Sequence, residues 1–349
     1  MTSAETIDVP SLTQLSVDAF RNAGLSFGDA EISARILVDA DMMGLSTHGV
    51  VRIPVYADRM RRGGVDPNAV VSVDKRAPSL AIVHGNNGLG TVVGSRALEA
   101  ALAMVAETGI AYVGCRNSNH FGALAPYGLK ACDAGFILIA GTNASTTMAP
   151  WGGKETRIGN NPLCIAAPCA DGIHIILDMA MSVAARGKIR AAQKAGVPIP
   201  EGWATDGSGA PTTDASEALA GFLLPVGGHK GSGLSVAVDI LSGALTGASF
   251  LSDVSSWSEN PDAPSGVGHF FLLIDPEKLL GPDAFAVAMD RFKSIVLSTP
   301  PASSTSPVVL PGQREQERRR AAKKDGVRVP GDLLASIKQL ARGHPRAVK

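Results

Sequence analysis

The segment GLSTHGVVRIP, Gly44 to Pro54, sets a hydroxyl, an imidazole and a guanidinium close together in Thr47, His48 and Arg52. An imidazole can give a proton to a carbonyl oxygen or take one from an alcohol. A guanidinium one helical turn away can grip a carboxylate with two parallel hydrogen bonds. Thr47 can orient the ring. The combination suits a 2-oxo acid or 2-hydroxy acid, although a helix-capping threonine beside a surface His and Arg fits the same spacing. A second imidazole, His120, lies in NSNHFG beside Ser118 and Asn119. It follows the strand-like IAYVGCR, at a strand end where open α/β sheets hold ligands, and Gly122 permits close backbone approach. A purely structural histidine is the alternative. The third candidate, GGHKGSGLS, places His229 and Lys230 among glycines before a helical pattern. Free N–H groups at a helix start beside a lysine make an anion site, and a plain turn before a buried helix is the other reading. It lacks Walker A spacing.

These residues need elements to hold them. Residues 11–43 read as two helices, the second carrying Ile32, Ile36 and Ala40 at helical spacing, with Asp29 as cap and Gly44 as stop. A further helix is expected from about Val51, with Pro54 in its first turn. Residues 81–150 alternate strand-like LAIVHG, IAYVGCR and FILIAGTN with helical patterns, which implies crossover units and an α/β class. Further strands are expected at LCIAAP, HIILDMA and HFFLLID, and a helix from about Ser232 to Thr246. The Ser- and Pro-rich stretch 251–268 reads as a surface loop, and PGQREQERRRAAKKDG as a loop opening into a charged helix. Gly88, Gly90 and Gly94 approach the dinucleotide fingerprint, but the third glycine is one residue late. The next strand ends in Cys115 and Arg116 rather than the acid that binds a ribose, so a packing turn is preferred.

Composition narrows the field further. The chain has 349 residues, 45% of them hydrophobic, enough for a sizeable core. Lys plus Arg and Asp plus Glu are 32 each, and aromatics are only 5%, which argues against nucleic acid and an anionic membrane. The polar start MTSAETIDVP is unlike a signal peptide, and no apolar run approaches membrane-spanning length. Cys115, Cys132, Cys164 and Cys169 contain no C-x-x-C pair, so reduced thiols in the cytoplasm are expected rather than a metal site.

STHGVVRIPVY, NSNHFGALAPY, APWGGKETRIGNNPLCIAAP, LDMAMSVAARGKI, EGWATDGSGAPTTD, GGHKGSGLSVAVDILSGALTG and PGQREQER occur in this order. Together, across about residues 10–330, they resemble the malate/L-lactate dehydrogenase family of the non-Rossmann type. That family includes sulfolactate and ureidoglycolate dehydrogenases and piperideine-2-carboxylate reductases. The resemblance implies a mixed sheet with flanking helices, NAD or NADP as cofactor, and a homodimer with its active site near the subunit interface. It implies a single oxidoreductase unit: an N-terminal helical part at roughly 10–75 and a C-terminal segment at 298–349, packing with a central 76–297 α/β part.

It also makes His48 the proton donor, Thr47 its hydroxyl partner and Arg52 the carboxylate ligand, with Asn160 and Arg186 beside the substrate. His120 is the rival acid–base group. The cofactor would be lined by His120, Phe121, Gly122, Ala123 and Leu124, then by Asp178, Met179 and Ala180. His229, Lys230, Gly312, Gln313, Arg314 and Glu315 would complete that lining. Three departures are visible: Thr47 where the family usually has Ser, Asn160 where it has Thr, and Lys188 where some imine-reducing relatives are acidic. Lys188 favours ketone or alcohol chemistry over reduction of a cyclic imine acid.

Overall fold

The computed structural model describes residues 4–303 and 306–343. A short strand, β1 (Ala4–Ile7), precedes the helices α1 (Val9–Asn22) and α2 (Phe27–Met42). The N-cap of α2 is Ser26 rather than Asp29. The Ser26 hydroxyl accepts the Asp29 N–H at 3.2 Å and donates to the Asp29 carboxylate at 2.8 Å, so the two groups satisfy each other. Gly44, at φ 80°, ends the helix as expected. The buried stripe of α2 is Ala34, Leu37 and Val38, with Ile32 and Ile36 at its edge. Two 3₁₀ turns, Ser46–His48 and Val50–Arg52, follow. They delay α3 (Ile53–Arg62), which begins two residues later than its sequence pattern suggests, with Pro54 in the first turn.

The strands and helices that follow are β2 (Ser72–Ala77), β3 (Leu80–His84), α4 (Gly90–Thr108), β4 (Ile110–Ser118), α5 (Ala125–Asp133), β5 (Ile137–Thr142), β6 (Leu163–Ala167) and β7 (Ile175–Met179). After them come α6 (Arg186–Ala195), α7 (Ala215–Ala220), α8 (His229–Asp239) and β8 (Val267–Ile274). The sheet order is β2-β3-β4-β8-β5-β6-β7. Only β3 and β4 form a parallel pair, joined across α4; every other neighbour is antiparallel. The expected run of crossover units is thus interrupted, because β8 inserts between β4 and β5. Its sequence VGHFFLLI is apolar on both faces and almost wholly buried, which suits a central strand.

The chain ends with α9 (Pro276–Leu280), α10 (Ala284–Leu297), α11 (Gln313–Asp325), β9 (Val327–Pro330) and α12 (Gly331–Arg342). β9 pairs antiparallel with β1, which brings the two ends of the described chain together. Val329 and Ile337 accordingly share a core with Leu12, Phe20, Leu37 and Tyr56. The main sheet has its own core, with Val113, Leu138 and Phe271 packed beside Val93 and Leu98 of α4. Among the described residues no helix is long and apolar enough to cross a membrane.

Candidate active site

The first functional turn is held from below. Asp41, in the last turn of α2, accepts the Val50 N–H at 2.6 Å. A Cβ at Gly49 would lie 2.2 Å from that carboxylate, so only glycine lets the turn pass over it. Burial pushes the Asp41 carboxyl up to about 7, against the opposing effect of the Val50 N–H. Above it, the Thr47 hydroxyl and His48 Nδ1 are 2.9 Å apart, and Arg52 Nε donates to the Thr47 carbonyl at 2.7 Å. The terminal nitrogens of Arg52 stay free, and no carboxylate among the described residues pairs with them.

The second functional loop leaves β4. Asn119 is buried and fixed from two sides. It accepts from Arg59 Nη1 at 2.9 Å and donates to the Gly88 carbonyl at 2.9 Å. A Cβ at Gly90 would fall 2.1 Å from the Asn119 carbonyl oxygen, and one at Gly94 would press on the Phe121 ring. The fingerprint-like glycines therefore support this loop, as a packing turn would. Phe121 stacks on His269 with centroids 4.0 Å apart, and His269 bonds Thr142 and Ser118, each at 2.8 Å.

His120 emerges from this loop beside His48, their rings stacked at 5.6 Å. The Tyr56 hydroxyl meets His120 Nδ1 at 2.5 Å. Burial raises the Tyr56 phenol well above its usual range, so it stays protonated. Its proton has no other acceptor among the described residues, so Tyr56 donates to Nδ1 and His120 presents Nε2–H as a donor.

Both loops open onto one cavity of about 590 Å³, lined by Thr47, His48, Arg52, His120, Asn160 and Arg186. Ala185, Gly187, Arg190, Leu223 and residues 144–147 and 252–260 complete its wall. The last of these belongs to the stretch read as a surface loop, yet its Trp257 ring lies 5.1 Å from the Arg52 guanidinium carbon. Burial, then the Arg52 charge, lowers His48 to about 4, so its ring is neutral at pH 7. The same causes, burial first, hold His120 well below the usual range. The six expected catalytic and substrate-binding residues are thus gathered in one place.

The expected cofactor residues are not all gathered. Asp178 accepts the Leu124 and Ala125 N–H groups at 3.0 and 2.8 Å, and burial pushes its carboxyl up to about 6. With Gly312 and Glu315 it lines a smaller cavity of about 190 Å³, walled by Met43, Leu45 and Ile176. Apolar walls beside two carboxylates fit a flat ring joined to a hydroxyl-bearing ribose. Gly312 has φ 77°, and a Cβ there would meet the Ile176 carbonyl at 2.6 Å. Phe121 points into the core, while Gly122, at φ 87°, and Ala123 carry the backbone past it. Met179 and Ala180 continue β7 to Met181, whose carbonyl accepts the Val226 N–H at 2.8 Å. His229 and Lys230 begin α8, exposed, and line neither cavity. Gln313 bonds the Leu310 N–H and Glu317, and Arg314 is exposed. Lys188 is exposed over the Trp203 ring and does not line the large cavity.

Sequence reasoning missed Asp41, Tyr56, Arg59, Arg190 and Trp257. Tyr56 carried a signal, standing four residues after Arg52 on the same helical face. Arg190 likewise stands four residues after Arg186 on α6. Arg59 and Trp257 carried none, because Asn119 and Arg52 are distant in the chain, and Asp41 is met only where the chain turns back over it at Val50.

Residues 7–338 match the malate/L-lactate dehydrogenase family. A (2R)-3-sulfolactate dehydrogenase (NADP(+)) of Chromohalobacter salexigens is 38% identical over 262 residues, 75% of this chain and 78% of the relative. The ureidoglycolate dehydrogenase (NAD(+)) of Escherichia coli is 33% identical over 323 residues, 93% and 92% of the two chains. The solved sulfolactate dehydrogenase of Methanocaldococcus jannaschii superposes with a TM-score of 0.90 at 35% identity, covering 97% of each chain.

Proposed function

The chain belongs to the malate/L-lactate dehydrogenase family, an NAD(P)-dependent oxidoreductase of 2-hydroxy acids, and from that premise we propose how its residues divide the reaction. Bound NAD or NADP supplies the hydride acceptor or donor. Arg52 holds the C1 carboxylate with its free guanidinium edge. His48, neutral in the open site, takes the hydroxyl proton of the alcohol as the C2 hydrogen departs with its electron pair. In reverse it returns that proton to the C2 oxygen. Thr47 serves both states, because its hydroxyl accepts from Nδ1–H whether Nε2 is bare or protonated. His120 donates from Nε2 into the same cavity. The observation that carries this reading is the placing of His48, Arg52 and His120 on one cavity.

Asp178, Gly312 and Glu315 would hold the ring-and-ribose part of the cofactor, and His229 and Lys230 at the start of α8 its anionic part. The four cysteines are buried and free, as suits a reducing cytoplasm. Exposed Leu234 on α8, with exposed Ile240 and Leu245 after its end, suit a homodimer in which the partner covers an apolar face. A panel of 2-hydroxy acids, 2-oxo acids and cyclic imine acids, each followed by absorbance with both nicotinamides, tests the reaction. Turnover of imines alone would overturn it.

A further inference from the structure

Arg59 has no task in the reaction, yet it is 2% exposed, and no carboxylate pairs with it among the described residues. A buried guanidinium without an anion is costly unless its donors are satisfied in some other way. Oxygen acceptors from three parts of the chain do so here. Nη2 donates to the Gly64 carbonyl at 2.9 Å and to the Ala263 carbonyl at 2.8 Å. Nε donates to the Pro261 carbonyl at 3.3 Å, and Nη1 to the Asn119 side chain at 2.9 Å. Pro261 and Ala263 lie just past the 252–260 wall of the large cavity, which Arg59 itself does not line. Gly64, just after α3, meets the same place, since a Cβ there would fall 2.1 Å from the Pro261 carbonyl oxygen. The cavity wall is therefore clamped to the end of α3.

Trp257 is what that wall delivers. Its neighbours Ser258, Glu259 and Asn260 are exposed, whereas Trp257 is half-buried. The Arg52 guanidinium carbon lies 5.1 Å from its ring centre, and the His120 ring centre 5.6 Å away. On Arg52 itself, Nε is taken by the Thr47 carbonyl and the ring of Trp257 lies over the group, while the terminal nitrogens are free. An indole attracts a guanidinium through its π face and leaves the in-plane donors for a ligand. Without the ring, one hydrogen bond would have to order a long, rotatable side chain.

Resting on the carboxylate-binding role of Arg52 proposed above, we infer that Trp257 is a positioning residue that holds the Arg52 guanidinium ready to grip the carboxylate, and that Arg59 is the tether that keeps Trp257 there. The effect acts at the charged end of the substrate. It therefore changes affinity for an acid far more than affinity for a neutral analogue of the same shape.

Pyruvate and its neutral amide, pyruvamide, differ only at C1, and both are titrated calorimetrically into the intact chain. Wild type binds pyruvate more tightly. Trp257→Ala lowers that preference about 3- to 30-fold, the scale of a cation–π contact, and Trp257→Phe, which keeps a ring, recovers part of it. Arg59→Lys lowers it too, because one ammonium cannot reach all four acceptors. Gly64→Ala, which presses on the Pro261 carbonyl and leaves Arg59 intact, gives a similar loss even if Arg59→Lys fails to fold. Adding either change to Trp257→Ala costs no further preference, as expected of residues that act through one another. An unchanged preference in Trp257→Ala, or equal losses on acid and amide, overturns the positioning role. Additive losses in the double variants overturn the tether. Arg52→Lys separates this inference from the reading beneath it. If that variant keeps the wild-type preference, the carboxylate grip falls and the role of Trp257 with it. If it loses the preference while Trp257→Ala keeps it, Trp257 alone loses its role.

Discussion

Burial and the Arg52 guanidinium set His48 at about 4, and that value fixes the pH behaviour of the two reaction directions. Oxidation needs a neutral ring, so its kcat/KM is level at neutral pH and falls only as pH drops toward 4. Reduction needs a protonated ring. Its kcat/KM therefore declines about tenfold per pH unit above that value, since this parameter reports the free enzyme. A reductive profile level from pH 5 to 8 would place the proton on another group. Arg52 acts on binding. Arg52→Lys raises KM for the acid substrate sharply, because one ammonium cannot reproduce a bidentate grip, and the loss shrinks for the methyl ester. An unchanged KM would show that Arg52 faces elsewhere. At this scale the sequence was legible where reactive types lie close together, as in Thr47, His48 and Arg52. It was silent on the pairing of Arg59 with Asn119, which meet across sixty residues and only because the fold brings them together.

Elements hold these residues through close backbone contacts, and the contacts are where substitutions act. Gly90→Ala places a methyl against the Asn119 and His120 carbonyls. Overpacking of this kind costs about 1–3 kcal/mol. A lowered melting temperature, with kcat reduced in the folded fraction because the His120 loop shifts, is the expected result. Unaltered stability would mean that α4 and the loop are not in contact. Asp41 gives a pH signature. Its carboxyl titrates at about 7 when folded and near the usual carboxylate value when unfolded. A raised folded value means that its contribution is fully present in acid and is lost as pH rises from about 4 through about 7. Wild type therefore loses melting temperature relative to Asp41→Asn across that window, and parallel curves would contradict the burial of Asp41. The helices and strands around the site were readable from period and caps. The insertion of β8 between β4 and β5 was not, because an apolar strand carries no mark of its neighbours. The same limit hid Trp257: a Ser- and Pro-rich stretch reads as a loop, and nothing local says that it covers a cavity.

At the scale of the whole molecule, the start of α8 and the apolar face beyond it can each be tested. Lys230→Ala removes a charged donor at the start of α8, which predicts roughly 10- to 150-fold weaker NADH or NADPH binding by fluorescence titration. Normal affinity would free α8 of that role. Sedimentation of the intact chain is expected to give a dimer, with the apolar side chains of α8 and of the segment just after it covered, and a Leu245→Glu substitution to shift it toward monomer. A wild-type monomer would return that face to solvent. The central claim is that His48, not His120, moves the proton in a 2-hydroxy acid dehydrogenase. It is tested most directly by kcat for oxidation of the best hydroxy acid in wild type, His48→Asn and His120→Asn, at saturating nicotinamide. A loss of about two to four orders of magnitude is expected in His48→Asn, the scale of a general acid–base group, and a smaller loss in His120→Asn. Near-normal turnover in His48→Asn, with collapse in His120→Asn, would contradict it.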